Sequence, residues 1–255
     1  MRRQQGWLLV EWLLAAVLGM LVLASMTTLL QDALLLARSQ RAQGPMQQAA
    51  VWLLHRLGDA ITLAGQGGVH PLGLDDTRLG AWWPDNDQGP GKAASDQLLL
   101  SHVAAQDGMD CEGTRVGAGQ QVVERYFLRA DSSGPGWVLA CDAGLCDAQG
   151  CVRLGDAGAA LQAEVDSLQV RYLLPGVAGE SGAWVEAGDL RQRLPAVPTV
   201  LGIRMALLMR GTEMQLRNLR WSTPPEWFGP ALSLATDRLP HGLWLMTREI
   251  AHATP

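Results

Sequence analysis

The stretch that decides the fold stands at the start: Gly6-Trp7-Leu8-Leu9-Val10-Glu11, then Trp12–Leu30, WLLAAVLGMLVLASMTTLL. Those last 19 residues carry only Ser25, Thr27 and Thr28 as mild polar interruptions, close to the ~20 apolar residues a helix needs to cross a bilayer. The basic head Met1-Arg2-Arg3 gives the segment the outline of a secretory signal. The apolar run is too long for an ordinary one, and no small-residue cleavage site closes it. No basic residue stands between Arg3 and Arg38, so the positive-inside rule puts the N-terminus in the cytoplasm and the bulk of the chain outside. Glu11 is the exception within the apolar stretch, fifth when counting from Trp7. A carboxylate at that depth costs a few kcal/mol unless it meets a partner.

Helical spacing continues through Gln31–Gln43, and Gly44-Pro45 predicts a kink or break, because proline donates no backbone hydrogen bond. From Met46 to Ala64, Ala50, Leu53, Leu54, Leu57, Ile61 and Ala64 share one helical face, and Gly65 is placed to cap the end. An unbroken helix from Trp7 to Ala64 would be roughly 87 Å long. A glycine- and proline-rich loop follows over Gln66–Ser95, with Trp82 and Trp83 expected to tuck onto the globular part. Within it, Asp85-Asn86-Asp87-Gln88-Gly89 reads as a solvated turn and not as a calcium loop. Pro90 stands where the turn glycine belongs, and no distal glutamate follows at the required spacing.

Beyond the loop the period changes to two. Strands are predicted over Gln97–Val103, Val122–Arg129, Trp137–Cys141, Ser167–Leu174, Val200–Arg210 and Leu243–Ile250. In the fifth, Ile203, Met205, Leu207 and Met209 share a face. The expected fold class is α+β: a long N-terminal helix, membrane-spanning in its first half, packed on an antiparallel β-sheet head.

Cys111, Cys141, Cys146 and Cys151 all fall mid-chain, with no CxxC pair and no nearby histidine to complete a zinc cluster. An even count downstream of an export-type segment reads as two disulfides in an oxidising compartment. Four cysteines allow three pairings. Sequence alone does not choose among them; the short loop CDAQGC is easily closed between Cys146 and Cys151, and that choice would leave Cys111 with Cys141.

Gly6, an aromatic, three aliphatics and Glu11 together resemble the processing site of type IV prepilins. The resemblance implies that a prepilin peptidase cuts between Gly6 and Trp7 and methylates the new amine. It further implies that Glu11 pairs with the terminal amine of a neighbouring subunit as a filament grows. Three positions depart from the family pattern: Trp7 replaces the usual Phe, Leu8 the usual Thr and Trp12 the usual Leu. Further on, Ser95-Asp96, Asp110-Cys111 before Gly113, Val123–Phe127 and Leu139-Ala140-Cys141 look like the head of PilW-type minor pilins. Ala49–Leu54 with Ile61–Gly65, and Val165–Tyr172 with Ile203–Arg210, agree with that likeness. It is weakest over Gln66–Ala94 and from Arg220 onward.

The resemblance divides the chain into a leader (1–6), a transmembrane or filament-core helix (7–30), its continuation onto the head (31–65) and a periplasmic β-rich head (66–255). The implied localisation is the bacterial inner membrane, single-pass, and the pilus after assembly. The implied partners are the prepilin peptidase, other minor and major pilins, and the inner-membrane assembly platform. Its implied work is to prime or take part in type IV pilus assembly. Two other functions fit the same residues: a minor pseudopilin of type II secretion, and a pilus-tip binding or adhesion module. The ten tryptophans would serve the second.

Nothing in the sequence predicts catalysis, a cofactor or a metal site. The histidines His55, His70, His102, His241 and His252 are scattered, and nothing shields Asp75-Asp76. There is no Walker lysine motif, G-x-S-x-G or dinucleotide fingerprint. The net charge of -5, more negative once Arg2 and Arg3 leave, argues against nucleic acid.

Overall fold

The computed structural model describes residues 5–72, 95–134, 136–147, 150–176, 182–192, 199–211, 224–229 and 239–252, without the side chains of 5–8, 38, 39, 42, 191 and 192. Trp82, Trp83, Asp75-Asp76 and the Asp85–Gly89 turn lie outside these residues. The chain divides into two compact units, Met1–Gly44 and Pro45–Pro255.

One helix, α1 (Gln5–Leu63), runs through that boundary and keeps Pro45 inside it. The expected break at Gly44-Pro45 therefore does not end the helix. Proline is disfavoured in a helix partly because its ring clashes with the preceding residue's Cβ. Gly44 has no Cβ, and both residues are exposed, so water can serve the carbonyl that loses its donor.

In the first unit the hydroxyls of Ser25, Thr27 and Thr28 are satisfied within the helix. Ser25 donates to the Leu21 and Val22 carbonyls (3.0 and 2.8 Å), Thr27 to Ala24 (2.8 Å) and Thr28 to Ser25 (2.8 Å). These polar side chains therefore need no water.

The second unit begins with the last turns of α1. Met46, Ala50, Leu53, Leu57, Ala60 and Ile61 are buried there, while Val51, Trp52, His55 and Asp59 are exposed. Gly65 follows at φ +79°, and a Cβ there would come within 2.7 Å of the His252 carbonyl oxygen. Glycine is required on both counts.

The strands form two antiparallel sheets and a small hairpin, where the sequence led to one sheet. The first sheet contains β1 (Leu98–Val103), β4 (Gln121–Ala130), β5 (Trp137–Asp147), β6 (Gly150–Val152) and β7 (Ala159–Ala163). Its order is β1-β4-β5-β6, with β7 also on β5. The hairpin is β2 (Gly108–Met109) with β3 (Arg115–Val116).

The second sheet is built from β8 (Val165–Leu174), β9 (Ala183–Glu186), β10 (Gly202–Arg210) and β11 (His241–Glu249), in the order β11-β10-β8-β9. A short α2 (Ala187–Gln192) follows β9. Glu164, at φ +60°, is the single residue between β7 and β8 and turns the chain from one sheet into the other.

Two further ties join the sheets. Ser95 donates to the Leu168 carbonyl and accepts from its amide (3.0 and 2.9 Å), and Asp96 accepts from the Val170 amide (2.8 Å).

One core collects the buried face of α1 and one face of each sheet, including Leu98, Leu100, Tyr126, Leu139, Leu168, Tyr172, Ile203, Met205, Leu207 and Met209. The opposite faces are covered too. Ala206 and Leu208 lie under Trp227 and Phe228, and Leu99 and Val123 lie beside Cys146, Cys151 and Leu154. This burial on both faces explains why β10 reads as a nearly continuous apolar run.

Candidate functional site

Gly6 and Trp7 lie in the first turns of α1, and Glu11 follows one turn later. The surface around Glu11 is apolar and open: Leu9, Val10, Trp12, Leu13 and Leu14 are each more than 60% exposed. From Leu9 to Ala37, 29 residues, the helix is apolar with none of its residues buried, and it is long and apolar enough to cross a bilayer. A helix apolar on all sides is stable only when lipid or other apolar helices surround it. Glu11 has no basic residue within its own stretch to neutralise it.

In the head, disulfides join Cys111 to Cys141 (Cα–Cα 6.1 Å) and Cys146 to Cys151 (4.0 Å). The second links directly paired residues of β5 and β6. The first ties the turn after β2 to the middle of β5, and a dense polar network surrounds it. Asp110 Oδ1 accepts from the amides of Glu112 (3.1 Å) and Thr114 (2.8 Å), and Arg153 reaches Asp110 Oδ2 at 3.3 Å. The buried Glu124 accepts from the Cys111 amide and from the Tyr126 hydroxyl, both at 2.8 Å. Asp142, fully buried, receives Arg125 at 3.0 Å and the Gly155 amide at 2.9 Å on Oδ2. The Arg125 guanidinium also lies 3.9 Å over the Phe127 ring.

Glu112, Asp142 and Asp156 bring carboxylate oxygens within 4.8 Å of one another. Burial, and the nearby Asp156, Asp142 and Asp110, push the Glu112 carboxyl above its usual range against a hydrogen bond from the Ala143 amide. Burial is the main cause of the rise at Asp142, opposed by the Gly155 amide and Arg125. The sequence led to no metal site, and this cluster was missed because its members are far apart along the chain. One signal was present: Glu112 follows Cys111 and Asp142 follows Cys141, so the bridge between those cysteines brings their acidic neighbours together.

Among the described residues no histidine joins a group with metal-ligand geometry. His55 is exposed on α1, and His241 lies 3.3 Å from Asp166. A half-open hollow of about 250 Å³ is lined by Leu63, His102, Met109 and Asp110 among others, without a nucleophile paired to a base.

No family model matches the chain, and no curated protein matches it in sequence. Among solved structures it is similar to a type IV-like pilin from Thermus thermophilus, with a TM-score of 0.48 and 14% identity over 81% of this chain and 96% of that one.

Proposed function

We propose that this chain is a minor pilin that primes or takes part in type IV pilus assembly, working by insertion into a filament and not by catalysis. The observation that carries the reading is the apolar helix Leu9–Ala37, none of whose residues is buried, with Glu11, five residues beyond Gly6, as the one charged side chain of Trp7–Leu30. In this reading a prepilin peptidase removes 1–6, leaving Trp7 with a methylated, positively charged amine. The helix spans the bacterial inner membrane until assembly, with the disulfide-bearing head on the periplasmic side. In the filament it joins other minor and major pilins, delivered by the inner-membrane platform.

The physical logic is pairing in a low dielectric. Two opposite charges attract strongly there, and each is costly alone. Glu11 lies about 6 Å along the axis from the Trp7 nitrogen, at 1.5 Å per residue. A neighbour shifted by about one turn would bring its amine level with this carboxylate. The head carries a core of its own, so the helix can move from lipid to filament without the head refolding.

Mass spectrometry of the membrane-extracted protein tests the reading. The wild type should begin at a methylated Trp7, and Gly6→Ala should keep residues 1–6. Normal trimming in that variant, or an intact Met1 in the wild type, would remove the processing step and the reading built on it.

A further inference from the structure

β6 and β7 pair with the same edge of β5 but at opposite ends. β6 covers Leu145–Asp147 and β7 covers Val138–Cys141, leaving Asp142, Ala143 and Gly144 in a gap between them. The connection 153–158 folds into that gap. It is held by the Gly155 amide on Asp142 and by Arg125, which donates to the Asp156 carbonyl at 3.2 Å. Gly158, at φ +61°, lies so close to β5 that a Cβ would meet the Cys141 carbonyl oxygen at 2.4 Å. The loop is thereby fixed over Asp142 with the Asp156 side chain exposed beside it.

We propose that Glu112, Asp142 and Asp156 form a calcium site beside the Cys111–Cys141 bridge. Grouped acids alone would not carry this; the state of Asp142 does. Its carboxylate is 0% exposed, and Oδ2 is taken up by Arg125 and Gly155, yet Oδ1 has no hydrogen-bond partner. A buried oxygen without a donor is costly, more so on an ionised group. A cation shared with Glu112 and Asp156 would satisfy it.

The spacing fits. Calcium–oxygen bonds of about 2.3–2.6 Å place ligand oxygens of one shell at most about 5 Å apart, and these three groups lie within 4.8 Å. Access fits as well, because an open cleft lined by Glu112, Thr114, Asp156, Ala157 and Gly158 opens onto two of the three carboxylates, with Asp142 beneath them, and leaves room for water ligands.

The donor set selects the ion. Oxygen ligands favour hard cations over zinc, and calcium accepts an irregular shell more readily than magnesium, which demands a near-ideal octahedron. Arg125 is the opposing charge, but it grips Oδ2 and so orients the carboxylate. Arg153 is engaged with Asp110. Three carboxylates, one of them exposed, against one guanidinium suit the weak class of site, with Kd of order 0.1–1 mM. The ion would pin loop 153–158 to β5 and to the turn carrying Glu112. The inference holds whether or not the chain is a pilin.

The test uses the full-length protein in detergent, stripped with EDTA and followed by tryptophan fluorescence during heating. Calcium chloride should raise the midpoint saturably, while magnesium chloride at equal ionic strength should do much less. Asp156→Asn removes an exposed charge and keeps an oxygen for the Gly158 amide, which it now accepts at 2.6 Å. Its midpoint in EDTA should match or exceed the wild type, and its calcium affinity should fall at least tenfold. Equal shifts with both ions, no shift, or an undiminished calcium response in Asp156→Asn would each overturn the site.

Discussion

Tyr126 and Tyr172 are both fully buried in the head core, and burial holds both hydroxyls well above their ordinary ionisation range. They differ in what the hydroxyl meets. Tyr126 donates to Glu124 Oε2, whereas the Tyr172 oxygen has no hydrogen-bond partner among the described residues. Removing a satisfied hydroxyl strands its partner, and removing an orphaned one relieves a desolvation cost. Tyr126→Phe should therefore destabilise by about 1–3 kcal/mol, and Tyr172→Phe should be neutral or stabilising by up to about 1 kcal/mol. Denaturant unfolding of the two variants side by side checks this; equal losses would contradict it.

His102 offers a pH test at the same scale. Burial lowers its pKa against the opposing pull of Glu124. Below its ordinary value the unfolded chain holds a proton that the folded chain does not. Stability present near neutrality is therefore lost as pH falls from about 6.5 through the lowered value. The variant His102→Gln should flatten that part of the stability curve, and an unchanged slope between pH 7 and 5 would show that His102 is not its source.

At the scale of elements, legibility followed pattern strength. Met46–Ala64 was readable because six apolar residues fell on one face; five of them are buried and Leu54 is partly so. The strands β4 and β10 were readable because alternate residues of each, Tyr126 and Leu128 in one and Ile203, Met205, Leu207 and Met209 in the other, enter the core. Short β6 and β7 and the six-residue α2 were not: GCV is too short to show a period, AALQA is built from helix formers although it pairs as a strand, and AGDLRQ is under two turns long. Tertiary position makes them regular: β6 and β7 exist by pairing with β5. The second sheet was hidden for a related reason. Nothing in the period-two pattern says which strands pair, and the switch between sheets is one residue, Glu164.

The helix supplies a contrast that separates core from surface. Leu57 is fully buried, whereas Trp52 is 49% exposed on the same helix. Leu57→Ala should cost about 2–5 kcal/mol, and Trp52→Ser should stay within about 0.5 kcal/mol. Thermal midpoints decide, and a large loss at Trp52 would mean that its exposed face is not free in the isolated protein.

For the whole molecule, the two units present contrasting surfaces. Among the described residues, Pro45–Pro255 holds a hydrophobic core of its own, while Leu9–Ala37 of the first unit is an apolar helix with none of its residues buried. The part legible in sequence was the contrast itself. The polar chemistry of the head, above all the Glu112–Asp142–Asp156 cluster, depended on contacts that only folding creates.

That contrast isolates the role of Glu11, because no head residue is needed to test it. If the carboxylate serves only to meet an amine on a neighbouring helix, Glu11→Val should be processed and inserted as well as wild type, since valine removes a membrane-insertion penalty of about 3 kcal/mol. It should nevertheless fail to enter filaments, because the neighbour's amine is then buried unpaired, a loss of about 3–5 kcal/mol per contact. Glu11→Asp keeps the charge on a shorter arm and should restore part of the incorporation. Sheared filaments and membranes, separated and blotted for this protein, give the readout. Wild-type amounts of Glu11→Val in the sheared fraction would show that apolar packing alone drives assembly and that the carboxylate is incidental.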